Sequence, residues 1–178
     1  TDIYVANGHV IDNIDLFNKD YRHAQYNQIY LNQKNGSFSD ITTMIGGDLL
    51  YKAVSRGSAF GDIDNDGDID IMVSNNNGKA RLLINEGDHK NNWIGFELEG
   101  VTCNKQAIGS KIIISTDSGD QVAWVNPAGS YLTSNDTRVV FGINSDRLVR
   151  SISILMFPSS PSPASSNDSS LDNISSPP

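Results

Sequence analysis

The chain has 178 residues, 38% of them hydrophobic, enough for a modest core in one ordinary domain or two small ones. Thirteen Lys and Arg against 21 Asp and Glu leave a formal charge of -8, a field that repels phosphate backbones and anionic lipid head groups and so argues against a nucleic-acid partner. The single cysteine, Cys103, rules out an internal disulfide framework and has no zinc-site spacing around it, and no run approaches the ~18 apolar residues that span a bilayer.

The chain opens on Thr1-Asp2-Ile3-Tyr4-Val5, already a strand pattern, and reads as a fragment whose N-terminus lies upstream, so the lack of a signal peptide carries little weight. Short β-branched and aromatic runs bounded by Asn, Gly, Asp and Ser recur from there on, and no stretch sustains a helical period. Strands are predicted over 2–6, 28–32, 58–61, 69–74, 81–85, 93–99, 110–115, 121–125, 137–141 and 148–156, an all-β pattern. An internal repeat aligns Asp2-Ile-Tyr-Val-Ala-Asn7 with Asp70-Ile-Met-Val-Ser-Asn75, and Asn27 to Asn32 with Lys79 to Asn85, which implies stacked sheet units. Between the two parts of the first copy, the polar segment 10–26 is expected to be a surface loop or a short helical insertion. In the second half, alternation places Ile94, Phe96 and Leu98 on one face, Val139, Phe141 and Ile143 on another, and Ile152, Ile154 and Met156 on a third, each able to cover a core. The same reasoning pairs Trp124 with Val122 and assigns both to the core. From 159 to 178 the Ser- and Pro-rich composition has too little apolar area to offset the entropy of ordering, and predicts disorder.

The strongest motif is Phe60-Gly61-Asp62-Ile63-Asp64-Asn65-Asp66-Gly67-Asp68-Ile69-Asp70, with carboxylates at loop positions one, three, five and nine. Calcium is a hard cation that takes six to eight oxygens at about 2.3–2.6 Å, and alternate residues of a tight loop can aim their side chains at one centre. Asp62, Asp64, Asp66 and Asp70 are therefore predicted to bind Ca2+ through side chains and Asp68 through its backbone carbonyl, with its own carboxylate toward solvent. Gly67 supplies the turn, since without a Cβ it can take positive φ. With no cation, crowded carboxylates repel one another and some pKa values rise. An EF-hand would need a bidentate Glu at its twelfth position, which here is Val73, and both flanks read as strands, so a strand-loop-strand site is predicted. Asp2 matches Asp70 in the repeat and would be the ninth-position ligand of a second such loop.

No other residues gather into a site. His9, His23 and His89 are scattered, with no nucleophile or second His at a useful spacing. Glu97 and Glu99 are glycosidase residue types, but they sit on the polar face of one strand, where solvation explains them. No catalytic set emerges, and the chain is expected not to be an enzyme.

The Phe60-Gly61 pair, the aspartate loop and Asp70-Ile-Met-Val-Ser-Asn75 resemble the FG-GAP or VCBS repeat of β-propellers. The run from Asn104-Lys-Gln-Ala-Ile-Gly109 through Asn126-Pro-Ala-Gly-Ser-Tyr-Leu-Thr-Ser-Asn135 to Phe141-Gly142 resembles the ASPIC/UnbV module, and the combination is similar to the cartilage acidic protein-like family. Where that module usually ends on a Trp-Pro-Ser-Gly-like turn, this chain has Phe157-Pro158-Ser159-Ser160. The resemblance implies a partial β-propeller of about two blades over 1–92, a small β-sandwich-like domain over 93–158 and a disordered tail over 159–178. It also implies a secreted or surface-displayed protein. Because a closed propeller needs at least about four blades, sheet faces of this chain should lie uncovered. The function expected is that of an extracellular calcium-binding interaction, scaffold or adhesion protein, whose partner is an extracellular protein or glycan and which inserts into no membrane. The alternative is a carbohydrate-binding accessory region of a larger secreted enzyme, with Trp93 as its contact.

Overall fold

The computed structural model describes residues 1–87, 90–101 and 104–156. His89, Cys103, the Phe157-Pro158-Ser159-Ser160 end and the 159–178 tail lie outside the described residues. The all-β expectation holds: the strands form small antiparallel sheets, and none closes into a barrel.

Strands β1 (Ile3–Val5), β2 (Gln28–Asn32) and β3 (Phe38–Asp40) form one antiparallel meander. A second is built from β4 (Ser55–Gly61), β5 (Asp70–Asn75) and β6 (Arg81–Leu83). The sequence repeat is also a structural repeat, because the same polar contacts recur in both sheets. Asp2 Oδ1 accepts the Asn32 N–H at 2.8 Å where Asp70 Oδ1 accepts that of Asn85 at 2.9 Å. Asn7 Nδ2 donates to the Tyr26 carbonyl at 2.9 Å where Asn75 Nδ2 donates to that of Lys79 at 2.8 Å. The polar 10–26 insertion carries a single helical turn, Ile14–Phe17, as its composition predicts. Strand β3 was not predicted from sequence; it is a short edge strand with all of its residues exposed.

Leu49 and Val73 are the buried apolar side chains among the described residues of 1–87, and Ile3, Met72 and Leu82 are exposed. Tyr4 and Phe60 meet edge to face, centroids 6.2 Å apart, beside a groove of about 960 Å³ that runs between the two sheets past Ile3, Ile29, Ile71 and Leu83. These are the uncovered faces expected of an incomplete set of blades.

The larger core lies in the second half. Sheet β7 (Asn92–Phe96) with β10 (Val139–Asn144) faces a sheet in which β8 (Lys111–Thr116) runs between β9 (Gly119–Trp124) and β11 (Ser151–Leu155). Ile112 and Ile114 are wholly buried and meet Val125, Val139, Phe141 and Ile143, with Ile94, Phe96 and Leu98 packed alongside, which makes a two-sheet sandwich. Phe96 and Phe141 meet edge to face at 5.8 Å.

Two expectations are corrected here. Val122 and Trp124 lie opposite Ile113 and Lys111 in the register, hence on the outer face, and are about half exposed (52% and 50%). The core parity of β9 belongs to Ala123, and the Lys111 ammonium sits 5.5 Å from the Trp124 ring instead. Ile152 and Ile154 do pair with Ile114 and Ile112 on the core face, yet they stay exposed, as does Met156 beyond them. A two-stranded sheet facing a three-stranded one is too narrow to cover the outlying strand β11.

The two halves meet along β4. The edge of that strand turned away from β5 is satisfied by the irregular segment 130–136 rather than by another strand. Ser58 N–H donates to Ser130 Oγ and Phe60 N–H to Asn135 Oδ1, both at 3.1 Å, while the Thr133 hydroxyl donates to the Ser58 carbonyl and Asp136 N–H to that of Phe60, both at 2.9 Å. Close approach depends on glycine: a Cβ on Gly57 would lie 2.2 Å from the Tyr131 carbonyl oxygen, and one on Gly61 would lie 2.9 Å from Asp136 Cβ. Gly57→Ala should therefore cost about 1–2 kcal/mol as the crossing segment is pushed outward. Urea unfolding monitored by circular dichroism checks this, and an unchanged midpoint would refute the close-packing account.

Candidate metal centre

The aspartate loop is the connection between β4 and β5, so strands flank it on both sides, as the flanking residues predict. Asp62 and Asp70, at the two ends, are buried (4% and 1%), and Asp64 is exposed between them. One carboxylate oxygen from each of Asp62, Asp64 and Asp70 can be chosen so that all lie within 4.8 Å of one another. Two oxygens on opposite sides of one calcium at about 2.3–2.6 Å are at most about 5 Å apart, so this cluster has the span of a single coordination shell.

The loop is held open toward that centre by its own backbone. Asp62 accepts the Asp66 N–H on one oxygen (3.1 Å) and the Gly67 N–H on the other (3.0 Å). Asp70 accepts the Ile63 N–H at 2.8 Å and the Asn85 N–H at 2.9 Å. A carboxylate oxygen has more than one lone pair, so each can take an N–H and still face a cation. Desolvation in the loop, followed by the nearby Asp66 and Asp70 carboxylates, raises the Asp64 pKa above the usual aspartate range, the direction that crowded acids require.

Asp66 and Asp68 stand apart from the converged group. Asp66 Oδ1 accepts the Asp68 N–H at 2.8 Å, closing the turn. The Asp68 carboxylate does not face open solvent: it is half-buried against Gly87, where an added Cβ would lie 2.2 Å from its Oδ2. Gly67 has the positive φ its position calls for, +93°, and Asn65 is left-handed too at +63°, a conformation Asn tolerates better than most residues. A Cβ on Gly67 would sit 2.3 Å from three atoms of the Trp93 indole, so the ring lies flush on the loop.

The second half supplies a further contact that sequence reasoning did not find. Arg138 donates from Nη2 to the Asp62 carbonyl and from Nη1 to Asn65 Oδ1, both at 2.5 Å, and from Nε to Asp136 Oδ2 at 2.7 Å. Burial pushes the Asp136 carboxyl up, but the hydrogen bonds and charge of Arg138 outweigh it and hold the group below the ordinary range. Elsewhere the candidates are bland. His9 Nδ1 accepts the Ile11 N–H within a turn, and Glu99 pairs with the exposed Lys105 at 3.7 Å.

A family model described as an FG-GAP-like repeat matches residues 1–73, which contain the whole aspartate loop, and a model described as ASPIC and UnbV matches residues 100–160. The chain carries an FG-GAP-like repeat followed by an ASPIC and UnbV domain. No curated protein matches it. Asp62, Asp64 and Asp70 thus belong to the FG-GAP-like repeat, while Arg138 and the β4-covering segment belong to the ASPIC and UnbV domain. Among the described residues no helix is long and apolar enough to cross a membrane.

Proposed function

We propose that the protein is an extracellular calcium-binding interaction or scaffold module in which the ion is structural, fixing the β4–β5 loop of the FG-GAP-like repeat. The convergence of Asp62, Asp64 and Asp70 carboxylate oxygens within 4.8 Å carries this reading. An all-oxygen donor set favours a hard cation over zinc or copper, and calcium accepts an irregular shell more readily than magnesium, which demands a near-ideal octahedron. Asp66 and the Asp68 carbonyl, which lie outside the converged trio, would complete the shell by moving in as the loop closes on the ion. Millimolar extracellular calcium would fill even a weak site of about 10⁻⁴–10⁻³ M, which the cytosol would leave empty, so a site of that affinity supports an extracellular setting. The protein acts by binding an extracellular protein or glycan and carries out no catalysis. A glycan would meet Trp124, half exposed on the outer face of the sandwich, or the open side of Trp93, which packs on Gly67 yet stays 43% exposed.

The test is a calcium titration by calorimetry, paired with thermal melts in calcium and in chelator. Saturable uptake at one site is expected, with magnesium much weaker. At a calcium concentration of about 100 Kd the linkage is ~2.7 kcal/mol, so chelation should lower the melting temperature by about 5–10 °C. A folded protein that takes up no calcium would sink the proposal and leave the loop as an Asx-rich turn.

A further inference from the structure

We propose that the metal centre is also a clasp: cation binding at the FG-GAP-like loop locks the ASPIC and UnbV domain onto it, through Arg138 and Trp93. This rests on the reading of Asp62, Asp64 and Asp70 as cation ligands.

The loop has two faces. Its inner face presents the converging carboxylates. Its outer face presents the Asp62 carbonyl and the Asn65 side chain, and both are held by the one guanidinium of Arg138. Trp93 lies on the same loop at Gly67. Asp62 therefore faces the cation with its side chain and the other domain with its main chain, and the two cannot move independently across one residue. Arg138 is in turn fixed by Asp136, whose N–H bonds the Phe60 carbonyl, so the contact continues without a break into the segment that covers β4.

With no cation, three carboxylates whose oxygens lie within 4.8 Å of one another repel, which pushes the loop residues apart and displaces the Asp62 carbonyl and Asn65 from the Arg138 fork. A bound cation removes that repulsion and fixes both acceptors. By linkage the effect is reciprocal: a docked Arg138 holds the loop in its ligating shape and strengthens cation binding by the same factor. Arg138 acts here as a positioning residue.

The full chain serves for the test, in a Trp124→Phe background that leaves Trp93 as its single tryptophan. Calcium is titrated while Trp93 emission, calorimetric uptake and amide hydrogen exchange over 130–138 are followed. The expected result is that emission changes with the same midpoint as uptake and that exchange over 130–138 slows on loading. Arg138→Ala should weaken calcium binding about five- to tenfold and abolish the calcium-dependent slowing, a coupling of the usual allosteric size. Arg138→Lys keeps the charge but loses the fork, and should fall in the same direction if the alanine variant is too unstable to measure. Arg150→Ala removes an equal charge from the exposed pair with Asp117 and should leave affinity within twofold. Saturable uptake with Trp93 emission and 130–138 exchange unmoved, or with Arg138→Ala and Arg138→Lys both binding within twofold of the parent, would overturn the clasp and leave the metal centre standing. No uptake at all would overturn the metal centre itself, and the clasp with it.

Discussion

Gly67→Ala should destabilise the protein by about 3 kcal/mol, the sum of two independent costs at one position. The φ of +93° lies in the left-handed region, where a Cβ adds about 1–2 kcal/mol. The new methyl would also sit 2.3 Å from the Trp93 ring, and forcing a side chain out of a packed contact costs about 1–3 kcal/mol. The costs can be separated, since Trp93→Ala in the same chain opens the space but leaves the backbone strain. The double variant should accordingly recover part of the stability lost by Gly67→Ala alone when each is referred to its own parent. Urea unfolding of the four chains reads this directly. A Gly67→Ala midpoint equal to that of the parent would mean that the loop does not adopt this turn.

Asp70→Ala is the second large effect. Asp70 is 1% exposed and accepts two backbone N–H groups, from Ile63 and from Asn85, so truncation strands both donors away from water. Each orphaned donor costs about 1–3 kcal/mol, giving a loss near ~3 kcal/mol even in chelator, together with loss of calcium uptake. Asp64→Ala makes the contrast. Asp64 is exposed, and one of its carboxylate oxygens lies within 4.8 Å of one each from Asp62 and Asp70, so it adds like-charge repulsion when no cation is bound. Removing it should abolish or greatly weaken calcium binding while leaving stability in chelator equal to or above that of the parent. Melts of both variants with and without calcium check the pair. If Asp70→Ala were as innocuous in chelator as Asp64→Ala, the structural role assigned to its two hydrogen bonds would be wrong.

Much of this architecture can be read along the chain, because the signals that carry it are local. The period-two runs give nearly every strand to within a few residues. The spacing of Asp62, Asp64, Asp66, Gly67 and Asp70 marks the loop, and the strand signals on both sides separate it from a helical calcium loop. The repeat of Asp2 and Asn7 at Asp70 and Asn75 proved to be a repeat of hydrogen bonds as well as of letters, since a short polar side chain at a strand end has few backbone groups within reach. Strand β3 escaped because a short exposed edge strand such as Phe38–Asp40 shows no apolar alternation.

Burial was harder to read than strand placement. Val122 and Trp124 are as apolar and as well alternated as any core pair, yet they point outward while the small Ala123 points in. Alternation says which residues share a face but not which face is covered, and that depends on the sheet packed opposite. Ile152 and Ile154 make the same point: they have the right face but no facing strand wide enough to reach them.

The sequence by itself determined that the protein is all-β, that its first half repeats, and that one loop concentrates oxygen ligands between two strands, because each of these depends on residues close together in the chain. Only the tertiary structure decided which carboxylates converge, that Trp93 rests on Gly67, and that Arg138 of the second domain grips the Asp62 carbonyl and Asn65. The Trp93 and Arg138 contacts join residues tens of positions apart, and what fixes them is chain crossing, glycine clearance along β4 and the hydrogen-bonding needs of an uncovered strand edge, none of which leaves a periodic trace in the order of residues.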